Sequence, residues 1–124
     1  MKKQFPLVSI NIPTYNSQKT LRETLASIKK QTYPNIEVIV ADGYSRDRSV
    51  AIAKSYGSKV FYAQRLADAR YACFAKSRGT YVLILDSDQV LHPKVIAECV
   101  KLCERGFDAV TISERSIISK GTFV

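Results

Sequence analysis

Apolar runs rich in β-branched residues recur along the chain. Between them lie stretches in which apolar positions return every three or four residues. The first pattern is that of strands, the second that of helices. Leu7 to Ile12 reads as a strand stopped by Pro13. Residues 17–31 carry Leu21, Leu25 and Ile28 on one helical face, with Asn16 or Ser17 placed to cap the start. Residues 36–42 form a second strand ending at Asp42-Gly43. Ser45 is placed to cap a helix through Val50, Ile52 and Ala53 to a stop at Gly57. A third strand spans 59–63 and a third helix 66–78. Residues 81–86, "YVLILD", are almost continuously apolar, which predicts a central strand covered on both faces. Pro93 then opens a helix through Ile96, Val100 and Leu102 to Gly106, and "DAVTIS" (108–113) reads as a fifth strand. Residues 114–124 carry no pattern.

Strand and helix alternate throughout. That predicts an α/β, Rossmann-like, doubly wound and mostly parallel sheet with helices on both faces. A chain of 124 residues suits one such domain, over 1–124. Sheets of this kind bind ligands at the carboxyl ends of their strands, where the strand order reverses. Three polar turns fall on that edge: "PTYN" (13–16), "ADGYS" (41–45) and "DSD" (86–88). Their convergence predicts a ligand site.

The net charge of +8 favours anionic partners, among them nucleotides, phosphorylated compounds and an anionic membrane surface. The basic residues are dispersed and not interleaved with aromatics, so a nucleic-acid surface is not expected. Three cysteines without a Cys-x-x-Cys spacing fit a reducing cytosol, at the inner face of a membrane or free of it. Cys99 and Cys103 share a helical face, where core packing competes with metal binding. The opening segment is too short and too broken in its apolar run for a signal peptide or a membrane span.

Each turn has a plain reading beside a chemical one. Asp86 and Asp88 form either a solvated acidic turn or a pair whose repulsion a divalent cation relieves. Mg²⁺ or Mn²⁺ suits the second case, because those ions combine one or two carboxylates with water and phosphate oxygens. Tyr15 offers a ring to a nucleobase and Pro13 a fixed carbonyl, or the segment is a plain turn with Asn16 as cap. Asp42 accepts from a ribose hydroxyl or a base N–H, or merely starts an Asp-Gly turn. Arg70 meets phosphate or belongs to a charged face with Asp68, Lys76 and Arg78. His92, the one histidine, lies four residues after Asp88, where it reaches a metal or serves a helix start before Pro93, and a single unsupported His builds no hydrolytic set. No G-x-G-x-x-G and no phosphate-binding Walker loop is present.

The stretches 8–53 and 66–93, with these motifs in order, resemble the family 2 inverting glycosyltransferases and their GT-A nucleotide-sugar-binding fold. The resemblance implies a hexosyl-type transferase that takes a UDP- or GDP-linked sugar with Mn²⁺ or Mg²⁺. By position it implies that Pro13, Thr14 and Tyr15 line the base pocket and that Asp42 contacts base or ribose. It places Arg70 near the diphosphate, Asp88 on the metal, and Asp86 on ribose or the metal's water. Tyr71 and Cys73 stand where the family's helix motif has Asn and Gly, and Tyr44 departs from its second turn. The family's general base, which deprotonates the acceptor hydroxyl, has no match. Of Glu98, Glu104, Asp108 and Glu114, only Glu114 sits at an expected strand end. The expectation is a GT-A domain lacking its acceptor half, with the base beyond Val124 and the acceptor, saccharide or lipid phosphate, unspecified. An unfinished sheet makes a homodimer, or a catalytically incomplete binding module, the rival expectation.

Overall fold

The computed structural model describes residues 4–112. Four strands form one parallel sheet: β1 (Val8–Thr14), β2 (Ile36–Asp42), β3 (Lys59–Tyr62) and β4 (Tyr81–Ile84), in the order β3-β2-β1-β4. Four helices alternate with them: α1 (Gln18–Lys29), α2 (Ser49–Ser55), α3 (Leu66–Lys76) and α4 (Val95–Glu104). The doubly wound, parallel α/β expectation is met.

Side-chain alternation along β1 assigns the two faces. Val8, Ile10 and Ile12 point to the larger core, where Leu21, Leu25 and Ile28 of α1, Ile52 and Ala53 of α2, and Ile96 and Val100 of α4 meet them. Each fully buried Leu or Ile there contributes about 2 kcal/mol. The opposite face is thinner. Ile39 and Ala41 of β2 pack against Ala69 and Cys73 of α3, with Phe61 and Ala63 at the margin. Helices therefore cover both faces, three on one and one on the other.

That asymmetry explains the correction to β4. It is an edge of the described sheet, and its burial alternates along the strand. Tyr81 and Leu83 pack on the larger core, whereas Val82 and Ile84 are exposed. Their register partners Ser9 and Asn11 lie on the face where α3 packs, but α3 sits over β1 and β2 and not over β4. An apolar run thus looked doubly covered when only one of its faces is. The fifth strand is not formed over 108–112, and Ser113 lies outside the described residues, as does Glu114.

Three boundaries also move. Pro13 lies inside β1, opposite Ala41. Leu85 donates to the Asn11 carbonyl and Gly43 to that of Thr14, so Pro13, two residues past Asn11, faces the side β4 has already left. No ladder donor is missed there. Helix α2 starts four residues after Ser45, and α4 two after Pro93. His92 Nδ1 accepts from the Lys94 amide at 3.3 Å, a helix-start contact. No helix among the described residues is long and apolar enough to cross a membrane. The three cysteines are free, Cys73 buried in the α3 face and Cys99 and Cys103 half-buried along α4.

Glu37 ties the amino-terminal edge together. Its carboxylate accepts from the Ser9 hydroxyl at 2.6 Å, the Arg78 amide at 2.7 Å and Lys59 Nζ at 2.9 Å. Gly79 beside it is obligatory, because a Cβ there would lie 2.7 Å from Ser9 N and Oγ. Burial pushes the Glu37 carboxyl up, but the bonds from Ser9, Arg78 and Lys59 outweigh it and hold it at about 2. Because the folded value is depressed, the stabilisation is complete above the ordinary value near 4.5 and is lost as pH falls towards 2. Glu37→Gln is expected to lower stability at pH 7 by about 2 kcal/mol and to flatten the acid limb between those limits. Urea melts across that pH range measure both, and an unchanged acid limb would contradict the assignment.

Candidate functional site

Strand order reverses between β1 and β4. Helix α3 carries the chain from the β3 edge across one face to β4, while α1 returns to β2 across the other. Sheets of this kind hold a ligand crevice at such a point, outside the carboxyl ends of the strands. All three polar turns lie on that edge of the sheet.

The turn after β4 is fixed at its centre and free at its tips. The Ser87 carbonyl accepts from Thr20 Oγ1 at 2.9 Å and from Thr24 Oγ1 at 3.0 Å. The Ser87 and Ser17 hydroxyls share a hydrogen bond at 2.9 Å. Thr20 and Thr24, one helical turn apart on α1, thus bolt the turn to the larger layer. Asp86 N–H donates to Gln89 Oε1 at 2.8 Å, closing the turn on itself. Arg70, on α3, reaches Asp86 Oδ1 at 3.2 Å. Both side chains are substantially exposed, 39% and 54%, so the pair adds orientation more than stability. Asp88 is exposed and forms no ion pair among the described residues.

Thr24→Val removes a fully buried hydroxyl without changing shape. It is expected to cost about 1 kcal/mol of stability and to weaken metal-dependent ligand binding at the turn about ten-fold. Thr24→Ser should restore both. Thermal melts and titration of UDP or GDP with Mn²⁺ check this, and unchanged binding in the valine variant would contradict it.

The turn after β2 is built around Asp42, which is fully buried. Its Oδ1 accepts from Thr14 Oγ1 at 2.7 Å and Ser45 Oγ at 2.6 Å, and its Oδ2 from the Ser45 amide at 2.7 Å. An Asx turn therefore occupies the residues expected to begin α2. Asp47 takes over the capping. Its carboxylate accepts from the Ser49 amide and hydroxyl and, across the crevice wall, from the Gln18 amide at 3.0 Å. The bond from the Ser49 hydroxyl, aided by those amides, lowers its pKa. Ser49 Oγ in turn accepts from Ser17 N–H at 2.7 Å, and Ser45 Oγ from Asn16 N–H at 2.8 Å. The first turns of α1 and α2 are laced together without a conventional side-chain cap on either helix.

This lacing imposes strain. Asn16 and Tyr44 lie at φ 47° and 61°, in the left-handed region. Asparagine tolerates it, whereas for tyrosine it costs on the order of 1 kcal/mol or more. The Tyr44 ring stacks on Tyr62, with centroids 5.4 Å apart and planes at 28°. Tyr15, 65% exposed, lies against Gly43, where a Cβ would meet its ring at 3.3 Å.

The residues expected at the site thus fall into two groups. Tyr15, Arg70, Asp86 and Asp88 stand at the crevice with accessible groups. Pro13 is half-buried, and Thr14 and Asp42 face one another inside the wall. Reading the sequence missed Ser17, Thr20, Thr24, Asp47 and Ser87. Thr20 and Thr24 at helical spacing, and Asp47 two residues before Ser49, were the available signals. Among the described residues, no group of three His, Cys, Asp or Glu side chains could hold a metal ion by itself. One or two carboxylates completed by water and phosphate oxygens is the usual ligand set of Mg²⁺ and Mn²⁺. The two carboxylates of the turn, Asp86 and Asp88, fit that ligand set.

Residues 9–124 match the model of Glycosyl transferase family 2. An uncharacterized glycosyltransferase of Rickettsia prowazekii is 36% identical over 104 residues, covering 81% of this chain and 33% of its own. Among solved structures, Staphylococcus aureus TarS 1–349 in complex with UDP superposes with a TM-score of 0.75 at 28% identity, over 80% of this chain and 32% of that one. The mannosyltransferase PcManGT of Pyrobaculum calidifontis, in complex with GDP-Man and Mn²⁺, gives 0.70 at 26% identity, over 79% and 32%. The chain thus spans about a third of the length of these relatives. With its parallel sheet, its switch-point crevice and a match over nearly all its length, this chain belongs to glycosyl transferase family 2 and has the GT-A fold.

Proposed function

We propose that the crevice is the donor site of an inverting glycosyltransferase, binding a UDP- or GDP-linked hexose with a divalent cation. The observation that carries the reading is the 86–88 turn. The hydroxyls of Ser17, Thr20 and Thr24 hold its centre, Arg70 pairs with Asp86, and Asp88 takes no ion pair among the described residues. In this reading Asp88 is the metal ligand. Asp86, oriented by Arg70, serves ribose or a metal-bound water. Arg70 lends positive charge to the diphosphate side, and Tyr15 stacks on the base. Pro13, Thr14 and Asp42 shape the base pocket, with Asp42 acting through Thr14 and Ser45 as well as by any contact of its own. Mn²⁺ or Mg²⁺, when bound, supplies charge that stabilises the departing nucleoside diphosphate. The acceptor hydroxyl attacks the anomeric carbon as the bond to that diphosphate breaks, and its proton passes to a base not assigned among the described residues. The complexes of TarS with UDP and of PcManGT with GDP-Man and Mn²⁺ support this reading.

Calorimetric titration with UDP and GDP, with and without Mn²⁺, tests it. Binding of at least one nucleoside diphosphate that strengthens with Mn²⁺ is expected, and no binding under either condition would overturn it. A second reading, favoured by exposed Val82 and Ile84 on the edge strand β4, is a binding module that self-associates without transferring sugar. Light scattering that finds only monomer removes this alternative, as does turnover above about 1 per second.

A further inference from the structure

We propose that Tyr44, backed by Tyr62, is a second aromatic face for the nucleobase and determines how tightly the base is held. The inference rests on the donor-site reading but concerns residues outside the positions which that reading requires.

Three exposed tyrosines stand at the carboxyl ends of three adjacent strands: Tyr15 after β1, Tyr44 after β2 and Tyr62 at the end of β3. Their exposures are 65%, 58% and 48%. Single exposed apolar residues are ordinary, but three rings on the ends of three adjacent strands, two of them stacked, are not. The loops that carry them are tied to one another. Gly43 N–H donates to the Thr14 carbonyl at 2.8 Å, Asn16 N–H to Ser45 Oγ at 2.8 Å, and Ala63 N–H to the Asp42 carbonyl at 3.0 Å. Tyr15 rests on Gly43, the residue immediately before Tyr44.

Tyr44 is also the costly choice. Its φ of 61° suits glycine, and the bonds of Ser45 to Asp42 hold it there. The ring stays exposed although it stacks on Tyr62, so core burial does not explain it. Stacked on Tyr62 it forms a two-ring surface fixed before any ligand arrives. Preorganised aromatic faces lose little entropy on binding, and every nucleobase offers a π-face to them.

The test uses the 124-residue chain, Mn²⁺, UDP, GDP and base-free inorganic pyrophosphate. The chain has seven tyrosines and no tryptophan, so quenching of tyrosine emission reports nucleotide binding alongside calorimetry. Tyr44→Gly relieves the backbone and removes the ring. It is expected to weaken UDP or GDP by about five-fold or more while pyrophosphate is held as before. Tyr44→Phe should retain nucleotide affinity, and Tyr62→Ala should lose part of it. Unchanged nucleotide affinity in Tyr44→Gly overturns the inference and leaves the donor site standing. An equal loss for pyrophosphate also overturns it, since Tyr44 would then shape the loop without touching the base. A wild-type chain that binds pyrophosphate but no nucleoside diphosphate overturns both this inference and the donor reading.

Discussion

Asp88→Ala is expected to lower Mn²⁺-dependent affinity for UDP or GDP by about a hundred-fold or more, leaving a residual binding that no longer responds to metal. The side chain is exposed and takes no ion pair among the described residues, so its removal should leave the melting temperature unchanged. That separation of binding from folding makes the variant informative. Asp86→Ala should behave differently. It frees Arg70 and removes one oxygen partner, but leaves Asp88 on its bolted turn, so metal dependence should weaken without vanishing. Titrations of both variants with and without Mn²⁺ check the order. Equal loss in the two would mean that the carboxylates act as one unit.

The second large effect is on stability. Asp42→Ala strips acceptors from the Thr14 hydroxyl and from the Ser45 hydroxyl and amide in a place closed to solvent. Charge-assisted bonds of this kind contribute about 1.5–3 kcal/mol each, and their loss is only partly recovered by rearrangement. The variant is expected to be about 3–5 kcal/mol less stable in urea. It should also release Tyr44 and Asn16 from the left-handed region, since the Asx turn holds the loop there. Asp42→Asn keeps one acceptor and should fall between the two. A loss below about 1 kcal/mol in Asp42→Ala would mean that the loop is held by the Asp47–Ser49–Ser17 bonds instead.

The same residue shows how far the sequence could be read. Strand alternation, helical spacing and polar strand ends were enough to place Asp42, Tyr15, Asp86 and Asp88 on one edge. They could not say which of them would face the crevice. Asp42 turned inward because Thr14 and Ser45 lie within reach, and that depends on the register that sets Thr14 opposite Asp42. Strand pairing across 28 residues is not a local property. The start of α2 failed for the same reason, since Ser45 was a fair cap until Asp42 claimed it. For β4, an apolar run indicates burial only when the layers above and below are known. Its crossover helix α3 packs over β1 and β2 and leaves Val82 and Ile84 open. The bolting of Ser87 by Thr20 and Thr24 joins residues more than sixty positions apart, and only the fold brings them together.

The central claim is that the crevice between β1 and β4 holds a nucleoside diphosphate through a cation on Asp88. Paramagnetic Mn²⁺ locates itself, because it broadens the amide resonances of residues near it. Backbone spectra of the 124-residue chain with substoichiometric Mn²⁺, before and after UDP or GDP, are the most direct test. Weak broadening is expected without nucleotide. With nucleotide, strong broadening centred on residues 86–88 is expected, with base-induced shifts at 14–16 and 42–45. Broadening centred elsewhere, such as around Cys99 and Cys103, or none that depends on the nucleotide, would contradict it.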